Sequence, residues 1–249
     1  MPENNSEAPS RWATIGGILI LCSKVLIPIS VFLLIVTWVV GIYDSFKADK
    51  GVAAYQKKDY ATALQVFQSV PTDGRAQFYL GLMYRNGRGV PKDDAEAAKW
   101  YLKAAQNGRL IAEYNLALLY DDPKSPVYNQ KQALIWYEDA AKRGDASAQV
   151  NLGFKYAHGE GVAEDHKEAV KWYRKSAEQG DATGQLDLGL ELYHGQGVSK
   201  DPVQAYEWVT LAANQGYAGA SKIRDRMRTE LTPEQVAQGE TLAKNFKVK

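Results

Sequence analysis

Cysteine is nearly absent. Cys22 is the only one in 249 residues, so no intrachain disulfide can form and no cysteine-rich metal site can be built. Histidine is scarce, with only His158, His166 and His194. No HExxH run occurs, no Ser/His/Asp set stands out, and the carboxylates fall at helix caps or on polar faces rather than in a cluster. These gaps argue against an enzyme, and neither cofactor nor metal is expected. An excess of one charge is missing too. Lys and Arg number 30 against 29 Asp and Glu, a net +1, which creates no broad basic field and gives no reason to expect nucleic acid.

The N-terminal region has what the rest lacks, a long apolar run. Residues 1–11 are polar and read as a disordered tail. From Trp12 to Tyr43 the only charge is Lys24, and Val25 to Ile42 is uninterrupted. That run is ~27 Å long as a helix, close to the ~30 Å hydrocarbon core of a bilayer, with Trp38 and Tyr43 placed as interfacial aromatics. Residues 12–43 therefore read as one uncleaved transmembrane helix. A signal peptide fits poorly because no small-x-small site follows, and a lipoprotein fits poorly because Leu21 precedes Cys22. Lys24 has two readings: an amine reaching the headgroups near the end of the span, or an intramembrane charge that contacts a partner helix. Lys47, Lys50, Lys57 and Lys58 follow the span and favour a cytoplasmic soluble part by the positive-inside rule.

The rest is periodic. Trp100, Trp136, Trp172 and Trp208 lie 36 residues apart, as do Gly108, Gly144, Gly180 and Gly216; Gly81, Ala117, Gly153 and Gly189 hold a third register. A fixed period in this range signals a solenoid whose units bury their apolar faces only by stacking. In the first copy, Ala76, Leu80, Gly81 and Tyr84 predict one helix, and Ala97, Trp100, Tyr101, Ala104 and Ala105 predict a second. Small residues recurring inside the first helix predict close helix approach. Asp93/Glu96, Asn129/Gln132, Asp165/Glu168 and Asp201/Gln204 fit capping boxes at the second helix, and the glycines from Gly108 onward fit its left-handed C-terminal position. The motifs GRGV (87–90), GEGV (159–162) and GQGV (195–198) follow a helix and lack the P-loop lysine and hydroxyl, so they read as turns rather than phosphate cradles. The second copy replaces this turn with DDPKSPVY (121–128), so its loop should differ in shape.

Taken together, Ala76, Leu80, Gly81, Tyr84, Gly87, Gly89, Val90, Asp93, Ala97, Trp100, Tyr101, Ala104, Ala105, Gly108 and Ala112 form a pattern that resembles the Sel-one-like repeat family, relatives of the tetratricopeptide repeats. The resemblance covers residues 76–219 in four copies. It implies an all-α fold, an α/α superhelical solenoid preceded here by the single transmembrane helix. The expected order is a tail (1–11), the span (12–43), an N-terminal capping helix pair or half repeat (44–75), four repeats (76–219) and C-terminal capping helices (220–249). The second of these last helices is expected to be capped by Thr232, with Pro233 and Gln235 following.

The resemblance also implies a protein–protein adaptor, often of the bacterial envelope, whose first helices line a concave surface. The core stripe leaves the opposite face to Phe78 and Arg85, Tyr114 and Asp121, Phe154 and His158, and Tyr193 and His194. These are the expected partner-binding residues, and an extended peptide or a partner helix would suit them. Packing between repeats is the competing role for this face. His158 and His194 share a register and should stand ~10 Å apart, too far for one zinc ion with nitrogen ligands at ~2.0–2.1 Å. The expectation is thus a bacterial inner-membrane adaptor holding a protein partner, with the repeats placed in the periplasm by the resemblance and the cytoplasmic side favoured by the lysines. The alternatives are an accessory subunit assembled through the membrane helix, with Lys24 as a contact, and a cell-envelope glycan-binding module.

Overall fold

A computed structural model describes residues 29–248, and among these residues the chain is an all-helical repeat solenoid of twelve helices with no strand. The tail, residues 12–28 of the apolar stretch, Cys22 and Lys24 lie outside the described residues. The chain divides into two compact units between Arg109 and Leu110.

The first unit holds α1 (Ile29–Gln56), α2 (Tyr60–Gln68), α3 (Gly74–Asn86) and α4 (Asp94–Gln106). Residues 29–43 of the expected span are the first half of α1, a single helix that runs unbroken through the expected boundary at 43–44. Those residues cover only ~22 Å against a ~30 Å hydrocarbon core. Among the described residues no helix is long and apolar enough to cross a membrane. Val31, Leu33, Leu34, Trp38, Ile42 and Phe46 are all exposed. From Asp44 onward the same helix becomes part of the packed array: Ala48 is fully buried with Ala63, Phe67, Val70, Ala76, Leu80 and Met83. The Arg75 guanidinium ties α3 back to α1, donating to the Ser45 carbonyl at 2.7 Å and to the Asp49 carboxylate.

Small residues set the helix spacing. A Cβ on Gly81 would lie 2.5 Å from the Tyr101 ring, and one on Gly51 would lie 2.6 Å from Phe67. The α1–α2 pair thus packs through a glycine against an aromatic ring, as α3 and α4 do, and its first helix begins well before the expected start at 44. A tight turn joins these helices, with Lys58 in the left-handed region at φ 63°.

The second unit holds α5 (Leu110–Asp121), α6 (Gln130–Lys142), α7 (Ala146–His158), α8 (His166–Glu178), α9 (Ala182–His194), α10 (Pro202–Asn214), α11 (Ala220–Glu230) and α12 (Pro233–Asn245). Tyr137 is buried where its repeat carries Ala117 instead of glycine, and Tyr173 lies against Gly153. In the fourth copy the partner ring is replaced by Val209, and Gly189 approaches both its side chain and the Ala205 carbonyl. The array ends on α12, where Gly239 packs on Tyr206 and Phe246 sits edge-on to Trp208 at 5.3 Å. Trp208 is accordingly buried, whereas Trp100, Trp136 and Trp172 are half-buried.

The predicted caps are half right. Asp93, Asn129, Asp165 and Asp201 each accept a backbone N–H from the first turn of the second helix. The reciprocal bond to the cap's own amide is not made, because that amide closes the preceding loop. Asp93, Asn129, Asp165 and Asp201 N–H donate to the carbonyls of Tyr84, Tyr120, Tyr156 and Leu192 at 2.7–3.0 Å. Only the Thr232–Gln235 pair forms the full box among the described helices. The loop 121–128 shares this closing bond although it lacks the glycines. Its own turns come from Ser125 N–H donating to the Asp122 carbonyl and Tyr128 N–H donating to that of Ser125.

In the glycine loops the second glycine is pressed against the preceding second helix. Gly197 has φ 65°, and a Cβ there would fall 2.2 Å from the His166 carbonyl oxygen. Only glycine fits such a position.

Candidate functional site

In the first unit, Phe78 is half-buried with its ring 6.0 Å from Tyr101. The Arg85 guanidinium lies 3.7 Å from Asp94 at the head of α4, whose carboxylate is also approached by Lys92 at 3.8 Å. Both nominated residues therefore serve packing between α3 and α4 as well as the surface.

The second unit brings four nominated residues together on α5 and α7. Tyr114 rests 6.2 Å from Tyr137, and its hydroxyl accepts a bond of 3.4 Å from Asn151. Asp121 accepts from Lys155 Nζ at 2.5 Å and from the Tyr137 hydroxyl at 3.3 Å. Phe154 is 42% exposed and stacks on His158 with ring centres 4.0 Å apart. Further along, the Tyr193 hydroxyl donates to Glu230 of α11, Lys200 lies over its ring, and exposed His194 stands edge-on at 5.1 Å. Tyr193 is thus partly committed to the end cap.

A pocket of about 530 Å³ opens beside Asp121 and Phe154, lined also by Pro123, Tyr128, Asn151, Lys155 and Glu160. Its floor is Lys155, whose side chain is 6% exposed and bonds Asp121 and Glu160. Burial alone would lower the lysine pKa, but hydrogen bonds and charges from Asp121 and Glu160 outweigh it and raise the value. The ammonium therefore stays charged. Lys155 was not among the expected site residues. Its signal was a charge at a register that holds Met83 and Leu119 in the first two copies.

At that register the fourth copy carries Glu191, reversing the sign. The Glu191 carboxylate lies 3.1 Å from His166 Nδ1 and accepts from it when that nitrogen carries the proton, and His166 Nε2 lies 3.6 Å from Glu164. Burial raises the Glu191 pKa, opposed by His166 and then by His194 and His158. One turn earlier, Asp187 is pushed up to about 6 by burial, with Glu191 and Asp181 adding to the effect and His158 opposing it. No group of His, Cys, Asp and Glu among the described residues is arranged to hold a metal ion.

A second repeated element escaped the sequence reading. The side chain of Asn107 donates to Gln77 at 2.7 Å, Gln179 to Gln149 at 2.8 Å, and Gln215 to Gln185 at 2.8 Å. Arg143 makes the corresponding pair with Glu113. Gln77, Glu113, Gln149 and Gln185 are all buried. This clasp joins the start of each first helix to the end of its second helix. Its signal was a polar residue at a strict 36-residue period.

The Sel1 repeat pattern matches residues 74–108, 110–145, 146–181 and 182–217. The Sel1 repeat protein from Oxalobacter formigenes is 30% identical with a TM-score of 0.69, over 80% of this chain and 82% of that one. A protective antigen present in uropathogenic Escherichia coli strains, which displays an SLR fold, is 34% identical with a TM-score of 0.68 over 74% of this chain. The match spans only 40% of that antigen's length. None of the curated proteins matches. With four matched repeats over more than half of its length, carried by helices whose close-approach residues and caps recur at one spacing, the chain belongs to the Sel1 repeat family.

Proposed function

We propose that this protein is a membrane-anchored adaptor that binds a partner protein on the first-helix faces of its repeats. Sel1 repeat proteins generally mediate protein–protein interaction on a scaffold that is typically non-enzymatic. The observation that carries the reading is Phe154, an aromatic ring left 42% exposed beside a pocket of about 530 Å³ on the second unit. An exposed aromatic next to a concavity is the usual form of an interaction anchor. The anchor rests on the apolar stretch 12–43, and the exposed apolar side chains at the start of α1 support it. The bacterial inner membrane and the periplasmic side are the favoured placement. A reporter fused to the C-terminus and active on one side only tests that placement: activity on the cytoplasmic side refutes it.

Capture from membranes with the full chain in detergent, identified by mass spectrometry, tests the adaptor role. A partner should be retained by wild type, and its recovery should fall at least fivefold with Phe154→Ala. Equal recovery removes the first-helix face from the reading. A second reading has its own observation: Leu34, Trp38, Ile42 and Phe46 recur every fourth residue, and all are exposed. That stripe suits a contact with another apolar helix, which would make the protein an accessory subunit held through its membrane segment. Replacing residues 12–43 by an unrelated span separates the two, because full recovery of the partner rules the second reading out.

A further inference from the structure

We infer that the pocket between α5, the 121–129 loop and α7 is a socket for an arginine side chain presented by the partner protein. The inference rests on the partner-binding reading above and names the chemistry of one contact. Its first ground is charge. Two carboxylates, Asp121 and Glu160, share one ammonium, that of Lys155, so the polar floor carries a net −1. Its second ground is an acceptor surplus. Two carboxylates offer about eight lone-pair sites, and the bonds made here are two from Lys155 and one from Tyr137. A ligand rich in donors matches this surplus, and an arginine brings five N–H groups in a planar fork.

The walls supply the third ground. Tyr128 and Phe154, each 42% exposed, both line the pocket, and a guanidinium plane stacks on aromatic faces where a lysine ammonium gains less. The wall carrying Tyr128 is preformed. Lys124 N–H donates to the Asp122 carboxylate at 3.0 Å, and Asn129 N–H donates to the Tyr120 carbonyl at 2.7 Å. Little ordering cost is left for binding. An apolar insert would leave the remaining lone pairs of both carboxylates cut off from water and without new donors, and an anion would meet net negative charge.

The three other repeats do not build this site. At the Asp121 position they carry Arg85, Ala157 and Tyr193. The departure of the second copy from the repeat pattern is thus explained by a binding role rather than by relaxed packing.

The test uses peptides selected from a random dodecapeptide display library on the full chain in a neutral detergent. The selected peptides should share an arginine. Replacing it with citrulline, which keeps the shape and loses the charge, should weaken binding at least tenfold. Glu160→Gln and Tyr128→Ala should each weaken the arginine peptide about tenfold, while the citrulline peptide changes less than twofold. Both positions are at the surface, so unchanged far-ultraviolet circular dichroism is expected for the variants. Selected peptides without arginine, or an arginine peptide insensitive to both variants, overturn the socket. If such peptides still lose affinity with Phe154→Ala, the interaction face stands and only the socket falls. If no peptide binds and no partner is captured, the partner-binding reading fails and the socket with it.

Discussion

Asp187→Asn should stabilise the protein at neutral pH and leave it nearly unchanged in mild acid. Burial, with Glu191 one turn away, raises the Asp187 carboxyl from its ordinary 3.8 to about 6. A raised folded pKa means that the folded state holds this proton where the unfolded chain has lost it. Stability from this group therefore falls as pH rises between about 4 and 6, and stays low above that window. A shift near two units corresponds to roughly 3 kcal/mol at 1.36 kcal/mol per unit. Asparagine keeps the shape without the charge, so the variant should gain up to ~3 kcal/mol at pH 7.5, or roughly 6–12 °C in Tm for a chain of this size. At pH 4.5 most of that difference should vanish. Thermal unfolding of both proteins, followed at 222 nm from pH 4.5 to 7.5, reads this directly. Parallel curves with a constant gap across the range would refute a raised carboxyl pKa at this position.

Two other perturbations address the repeat architecture. Gly197→Ala places a Cβ 2.2 Å from the His166 carbonyl at φ 65° and should cost more than ~2 kcal/mol, whereas Gly216→Ala, whose Cβ meets open space at φ 74°, should cost only ~1 kcal/mol; similar urea midpoints for the two would contradict the close approach. Removing Arg143 takes the guanidinium away from the buried Glu113 carboxylate and should cost about 1–3 kcal/mol. The double replacement Glu113→Gln with Arg143→Gln recreates the amide clasp of the third repeat and should recover most of that loss, so additive losses in a double-mutant cycle would dismiss the clasp.

What could be read in the sequence was whatever recurs. Gly81 and Gly153 announced close helix approach because a helix-destabilising residue at a fixed register needs a packing reason, and the rings of Tyr101 and Tyr173 provide it. Pro202, Thr232 and the glycines at 108, 144, 180 and 216 act locally, so their positions at helix ends followed from neighbouring residues alone. The capping boxes of the second helices failed for a tertiary reason: the loop takes the cap's amide before a side chain can reach it. The amide clasp was periodic too, yet a glutamine in a helix reads as surface unless its partner 30 residues away is known. At the candidate site, Asp121 and Phe154 were legible as copy-specific residues on an outward register. Lys155 and Glu160 were not, because the pocket depends on how the 121–128 loop folds over α7.

The unbroken helix α1 makes orientation a matter of phase. The exposed stripe Leu34, Trp38, Ile42 and Phe46 and the buried residues Ala48 and Gly51 belong to one rotation of the same cylinder. Each residue turns that cylinder by about 100° and lifts it ~1.5 Å. One residue inserted after Phe46 would swing the helices packed on the helix beyond it by more than a quarter turn relative to the apolar stripe. Four inserted residues would nearly restore the heading and raise those helices by ~6 Å. The count of residues between Phe46 and Ala48, not the flexibility of a linker, therefore decides which way the first unit points and how far it stands from whatever receives the stripe.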